Sequence, residues 1–375
     1  NALSFINSLI EIEYDFKEHT CIVLKNTSIE KICVDNNINY LPVSRNILLR
    51  LFWEYFIGLS IEKNDVFFSI FGPPFPFTKS KSINISGMAI SNVFYKDIDF
   101  WGYLSTIKKF YKKIKDRYRV YRYKKSDFWI FETELLRKKA VDNFQFPSDR
   151  SFVVKMAPSL IINKTNVKKN YFMNIKENYY NKIKFLFLGS AHPNKRIHLI
   201  PEYINMFLNF GFKDFVIVVT VDDNEYYKNI LENIKINKLD QYFYNTGRIS
   251  AEKVPSLISI CNYMCLFSAL ESFSNNFVEA WKMEKPLIVT DAQWSRSIAG
   301  EACIYINPER VKKSAKKIIN IHKSKKFKNK IINNGKKKLE EYPNPIEKTK
   351  KYLEIINKSQ KLGKISKNKY SRIKL

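Results

Sequence analysis

The sequence predicts an α/β protein made of two Rossmann-like domains, each built on a doubly wound parallel sheet. Three observations carry this. A length of 375 residues with 45% hydrophobic content can fill two cores of ordinary size. Short apolar runs alternate with longer helical patterns along most of the chain, as parallel strands joined by crossover helices require. In the second half those runs, such as IKFLFLG at 183–189 and FVIVVTV at 215–221, are continuously apolar, which suits strands buried on both faces. The ligand site of such a sheet is expected beyond the carboxyl ends of its strands.

The first domain is placed at 1–165. Its expected elements are a helix over 1–15, a strand at 20–25 (TCIVLK), a helix over 45–60, and strands at 66–71 (VFFSIF) and 82–86 (SINIS). A helix from about 100 to 118, a strand at 127–132 (DFWIFE) and a helix over 133–142 follow. Polar sequence breaks the rhythm over 159–182, and the linker is set at 166–182. The second domain is placed at 183–342. Its expected strands are 183–189, 215–221, near 241–244, 263–268, 286–291 and 303–307, and its helices 196–210, 224–235, 250–259, 275–283 and 309–322. A helix over 343–358 is expected to pack back on the first domain. The tail 359–375 carries six cationic side chains and no acid, and is expected to be a flexible basic extension.

Composition narrows the function classes. A formal net charge of +28 suits a nucleic acid, an anionic membrane surface or a phosphorylated substrate. Lysine is nevertheless spread over every segment together with asparagine and isoleucine, as a general bias on solvated faces would have it. Cys21, Cys33, Cys261, Cys265 and Cys303 form no CxxC pair and mostly sit in apolar runs, so a reduced cytosolic chain with neither disulfide framework nor zinc site is expected. The most apolar stretch, Asn46 to Ile61, is broken by Arg50 and Glu54 and is too short to span a bilayer. The first residues show no basic segment followed by an apolar one, so no signal peptide is read there.

Residues 271–291, ESFSNNFVEAWKMEKPLIVTD, place Glu271 and Glu279 eight apart around a neutral turn containing Ser272, Phe273, Ser274, Asn275 and Asn276. On the expected frame this turn leaves one strand and starts a helix. First-turn amides and the positive end of the helix dipole suit phosphate there, with Ser274 or Asn275 as N-cap. Carboxylates that accept hydrogen bonds from hydroxyls suit sugar recognition.

The run resembles the E-x7-E signature of retaining glycosyltransferases of family 4, which have the GT-B fold. The resemblance extends through FLGSAHPNKRIHLI, NTGRISAEKVPSLISICNYMCLFSAL, EKPLIVTD and GEACIYINP, over roughly 183–308. It implies two Rossmann-like domains facing across a cleft. It also implies that Glu271 contacts the transferred sugar at the reacting face, that Glu279 holds ribose hydroxyls, and that Lys195 neutralises the diphosphate. The backbone at Phe273, Ser274, Asn275 and Asn276 would meet sugar and diphosphate. Gly189, Ser190, Arg196, Arg248 and Ser272 complete the expected donor site, with Ser190 where the family often has arginine and Ser274 where it usually has glycine. No metal and no other cofactor is expected. Asp222 and Asp223 read as turn residues. His192 reads as a loop histidine without a partner role.

The resemblance further implies a nucleotide-sugar donor, a glycan or lipid-linked acceptor, cell-surface polysaccharide or lipopolysaccharide synthesis, and a place in the cytoplasm or on the inner face of the plasma membrane. No nucleic-acid partner is expected from it. The family's first strand and glycine-rich loop are missing from the start of this sequence, and Gly87 and Met88 stand where a histidine is common. Two further readings stay open: a non-catalytic polyanion or RNA binder, and an inactive glycosyltransferase remnant. The segment Tyr103–Lys125 interleaves aromatic and cationic residues. It reads as a helix lying on anionic lipid, as a core-facing aromatic stripe with a solvated basic face, or as a surface for single-stranded nucleic acid.

Overall fold

The computed structural model describes residues 2–60, 65–75 and 82–363. The chain divides into two compact units. One comprises the chain up to Asp97, Leu104–Ala157 and the chain from Pro343, and the other comprises Ile98–Tyr103 and Pro158–Tyr342.

In the first unit, α1 (Ala2–Glu11), β1 (Cys21–Leu24), α2 (Ser28–Asp35) and β2 (Tyr40–Val43) form a layer in which β1 and β2 pair in parallel around Ile6, Val23, Cys33 and Ile38. Then come α3 (Ile47–Ser60), β3 (Val66–Ser69), β4 (Ile83–Met88), α4 (Thr106–Tyr123), β5 (Phe128–Phe131), α5 (Glu134–Phe144) and β6 (Ser151–Val153). Strands β3 to β6 form a four-stranded parallel sheet in sequence order. One face carries Ile83, Ile85, Phe128 and Ile130, which pack against Tyr352 and Ile355. The alternate residues of β5 serve the other face, where Trp129 stacks on Phe146 at a centroid distance of 3.8 Å.

The second unit contains α6 (Met173–Asn178), β7 (Ile183–Phe187), α7 (Ile200–Asn209), β8 (Phe215–Val219), α8 (Glu225–Ile236), β9 (Phe243–Asn245), α9 (Val254–Ile260) and β10 (Tyr263–Leu266). It continues through α10 (Asn276–Lys282), β11 (Leu287–Thr290), α11 (Gln293–Ala299), β12 (Ile304–Ile306), α12 (Val311–Lys323) and α13 (Lys325–Glu340). Its six strands are all parallel in the order β12-β11-β10-β7-β8-β9. The order therefore reverses direction between β7 and β10, and loops leaving the carboxyl ends of these two neighbours open a crevice. The last helix, α14 (Pro345–Leu362), returns to the first unit, where Tyr352 meets Phe5 of α1 edge-on at 5.5 Å.

Several expectations need correction. The helix read over 1–15 stops at Glu11 because Glu13 takes a left-handed conformation at φ 53°. Helix α2 and strand β2 were not expected. The first is fixed by a local cap, Thr27 Oγ1 accepting from Glu30 N at 3.3 Å, and the second contains Pro42, which an outer strand tolerates. The helix read from about 100 starts at Thr106, and Ile98–Tyr103 folds with the second unit. The supposed linker 166–182 is a packed part of that unit: Ile175 is fully buried, and Lys168 N donates to Ser256 Oγ at 2.9 Å. Its buried residues are too sparse to show periodicity. The basic extension is helical as far as Leu362, and 364–375 lie outside the described residues. No helix is long and apolar enough to cross a membrane among the described residues. Cys33, Cys261, Cys265 and Cys303 are buried and Cys21 is partly so, all unpaired, and burial pushes the Cys261 thiol up to about 12.

Gly87 of β4 is required by close approach. A Cβ there would lie 1.7 Å from the backbone oxygen of Ile70, where the chain leaving β3 crosses the strand. Gly87→Ala is expected to destabilise the first unit by roughly 3 kcal/mol, because backbone and not a flexible side chain must yield, and a fall in the denaturation midpoint would show it.

Candidate active site

The chain leaves β7 through Gly189, whose φ of 151° favours glycine and whose amide donates to Thr220 Oγ1 at 3.0 Å, past the end of β8. Beyond it, His192 Nδ1 accepts from Asn194 N at 3.0 Å and caps the short turn Pro193–Lys195. Asn194 is buried and clasps the exit of β10. Its side-chain amide donates to Leu270 O (2.9 Å), its side-chain oxygen accepts from Leu270 N (3.2 Å), and its carbonyl accepts from Ala269 N (2.8 Å). The loops leaving β7 and β10 thus become one platform, on which Lys195 Nζ meets Glu271 Oε1 at 2.6 Å. Sequence reading gave Asn194 no role, since its partners lie 76 residues away.

Helix α10 starts from this platform. Asn276 Nδ2 donates to Leu188 O at 3.1 Å and pins the helix start to the exit of β7. Asn275 is the N-cap but makes no side-chain cap bond, and Ser274 is not the cap. Phe273 turns its ring into the core against Phe277 and Tyr342, at 6.0 and 5.8 Å between centroids, so only its backbone can serve a ligand. Glu279, one turn into α10, is partly buried. Burial alone pushes its carboxyl up to about 7, with no neighbouring charge contributing. Gly189, Ser190 and Lys195 line a small cavity of about 20 Å³ with Val221, Cys265 and Phe267, at the carboxyl ends of β7, β8 and β10.

The remaining expected residues divide. Ser190 is exposed at the cavity and Ser272 is half-buried beside Glu271. Arg196 is held in a left-handed conformation with its guanidinium on Glu309 at 2.8 Å, so its charge is already paired inside the unit. Arg248 is exposed on the loop after β9, beyond Gly247 at φ 67°. His192 departs from the expected isolated loop residue: besides its cap it stacks near Phe100, and the Tyr103 hydroxyl lies 3.5 Å from its Nε2. The segment 291–300 contains α11, and Trp294 there is buried with its Nε1 donating to Ala269 O at 3.0 Å. Among the described residues no group of three or more His, Cys, Asp or Glu could hold a metal ion.

The family model described as glycosyl transferases group 1 matches residues 169–338. No curated protein matches the sequence. Among solved structures, the chain resembles a glycosyltransferase from Rickettsia africae ESF-5, at 16% identity over 95% of this chain and 94% of that one, with a TM-score of 0.68. It also resembles Alr3699/HepE from Anabaena, solved in complex with UDP and glucose, at 11% identity over 96% of both chains and a TM-score of 0.70. The N-terminal domain of trehalose-6-phosphate phosphatase from Candida albicans is similar at 10% identity over 91% and 89%, with a TM-score of 0.63. Identities this low speak for the fold, which is GT-B with two Rossmann-like units. The second unit carries the glycosyl transferases group 1 match, and the chain is an enzyme of the glycosyltransferase class.

Two outcomes follow from this geometry. Asn194→Ala leaves the Leu270 amide and carbonyl unpartnered, so donor binding is expected to weaken roughly tenfold or more by loosening of Lys195 against Glu271, as calorimetric titration would read. For Glu279, the native carboxyl keeps a proton between about pH 4.5 and 7 that the unfolded chain has lost. Stability contributed by this group therefore falls as pH rises through that window. Glu279→Gln is expected to flatten that slope and to raise stability near pH 8, by on the order of 3 kcal/mol at most, in denaturation measured across pH.

Proposed function

We propose that this chain is a retaining glycosyltransferase of family 4 that moves a sugar from a nucleoside-diphosphate sugar to a glycan or lipid-linked acceptor hydroxyl, in the assembly of cell-surface polysaccharide or lipopolysaccharide. The observation that carries the reading is the Lys195 to Glu271 contact at 2.6 Å, made across the point where strand order reverses and beside the cavity at Gly189. In support, two solved structures of this fold, both of Alr3699/HepE, were obtained with UDP and glucose and with UDP-glucose.

In this reading the donor diphosphate lies over the exit of β7, against the amides at the start of α10 and the ammonium of Lys195. The glycosidic bond between the anomeric carbon and the phosphate oxygen breaks with its electron pair going to the diphosphate. Negative charge grows where Lys195 and the amides are already fixed, and that lowers the barrier. The acceptor hydroxyl forms the new bond to the anomeric carbon on the face the diphosphate leaves, and its proton departs with the diphosphate, so configuration is retained. Glu271 accepts from a sugar hydroxyl while holding Lys195 in place. Glu279 accepts from ribose hydroxyls, and those donors favour its ionised form, so donor affinity rises as pH rises through about 7. Charge neutralisation at the leaving group is assigned to Lys195, which Glu271 holds at 2.6 Å.

A panel of nucleotide sugars tests this, read by calorimetry and by nucleotide release with an acceptor extract. Lys195→Ala is expected to lower turnover roughly a hundredfold or more, as loss of one fixed charge at a developing anion does. Glu279→Ala is expected to weaken donor binding roughly tenfold through lost hydroxyl contacts. Unchanged affinity in both variants would mean that this crevice is not the donor site.

A further inference from the structure

Helices α3 and α4 of the first unit are amphipathic in the inverse sense. A surface helix normally turns its apolar stripe to the core. In α4 the residues turned toward the unit include Lys109, Lys112, Asp116 and Arg122, joined near its carboxyl end by buried Val120 and Tyr123. Asp116 accepts from Asn92 Nδ2 at 2.7 Å, and Arg122 donates to Pro74 O at 2.7 Å. The opposite face consists of Ile107, Phe110, Tyr111, Ile114, Tyr118 and Tyr121, which recur at helical spacing and are 83, 64, 57, 45, 55 and 52% exposed.

Helix α3 repeats the pattern. Arg50 and Glu54 pair at 3.4 Å with both side chains largely covered, while Leu48, Leu49, Phe52, Trp53 and Phe56 are 74, 55, 57, 47 and 48% exposed. Arg122 of α4 reaches Glu54 of α3 at 3.8 Å, which ties the two helices together at that point. The core-facing stripe, one of the readings of Tyr103–Lys125, is therefore overturned for Phe110, Tyr111, Tyr118 and Tyr121, which point to solvent, while Tyr123 alone of the helix's aromatic residues is buried.

We propose that the outward faces of α3 and α4 form a docking surface for an anionic lipid bilayer. Charge selects this occupant. Helix α4 carries eight cations against one acid, and Lys108 and Lys115 flank its apolar stripe on one side, Lys113 and Arg117 on the other. A helix lying in a membrane interface has this arrangement, with aromatic and aliphatic groups among the acyl chains and cations in the plane of the anionic headgroups. Long lysine and arginine stems let the charges stay at that level while the rings descend. Lys115 Nζ already sits 4.5 Å from the centre of the Tyr111 ring. A second copy of the chain is disfavoured, since two such faces would bring like charges together in a protein of net charge +28. Single-stranded RNA is disfavoured by the aliphatic members Leu48, Leu49, Ile107 and Ile114, which neither stack on bases nor hydrogen-bond. The surface is independent of the transfer chemistry, but it would deliver the enzyme to acceptors anchored in lipid.

Flotation of the full chain with vesicles tests the proposal, using phosphatidylcholine alone and phosphatidylcholine mixed with phosphatidylglycerol. The protein is expected to float with the anionic vesicles, less so as salt rises, and not with the neutral ones. The double variant Trp53→Ser, Phe110→Ser removes two exposed rings from this face, and it is expected to lose roughly a hundredfold in partition. Lys113→Glu with Arg117→Glu is expected to abolish the preference for anionic vesicles. All variants should keep the wild-type affinity for nucleotide sugars, measured in parallel, so loss of donor binding in the wild type overturns the transferase reading and leaves the docking result separate. Full vesicle binding by either double variant, or no binding by the wild type, overturns the proposal. So does a dimer, or binding to single-stranded RNA, that the same substitutions abolish while vesicle binding is unaffected.

Discussion

The second unit depends on one constraint: strands β7 and β10 are neighbours in the sheet although α7, β8, α8, β9 and α9 lie between them in the chain, so their loops must share one crevice. Asn194 makes that adjacency rigid. A single side-chain amide satisfies both the amide and the carbonyl of Leu270, and the backbone of the same residue takes up Ala269. Asn276 repeats the device one step further, binding the helix start to Leu188. With both loops fixed, a cation from one and a carboxylate from the other face each other before any substrate arrives. This is preorganisation in the sense that matters for catalysis: the reorganisation is done during folding and not at the moment of reaction.

Such a site costs stability. Glu279 is partly withdrawn from water with no compensating charge beside it, and its carboxyl holds a proton near neutrality as a result. The first unit shows a comparable departure from what stability alone would select, since α3 and α4 direct their apolar residues to water and keep their ion pairs beneath. Local rules of folding are commonly broken at functional surfaces, and both places break them.

The sheet of the second unit was legible because strands such as β8, β10 and β11 are buried along their whole length, and a continuous apolar run such as FVIVV can be little else between two helices. The spacing of the two glutamates placed Glu271 on the loop after β10 and Glu279 about one turn into the following helix, which is where they stand. Elements fixed by a few long-range contacts were not. Helix α11 carries too little periodicity in seven residues, and what holds it is Trp294 under the β10 loop. Helix α13 is lysine-rich on most sides, and its seat depends on Gly335 admitting the ring of Trp281, where a Cβ would come within 2.6 Å. Asn194 is invisible in sequence for the same reason, because an asparagine after a proline reads as turn chemistry until its partners are placed. The exposed stripe of α4 has a periodicity that states an apolar face but not which way that face points.

The distribution of thiols gives the molecule built-in reporters. Cys261, Cys265 and Cys303 lie inside the second unit and Cys33 inside the first, each shielded and each with its thiolate disfavoured by burial. A maleimide reagent has little to attack while a unit is closed, so mass tags that accumulate in a brief exposure record opening events. Because the labels fall on separate peptides, one digest would time the unravelling of each half of the chain independently.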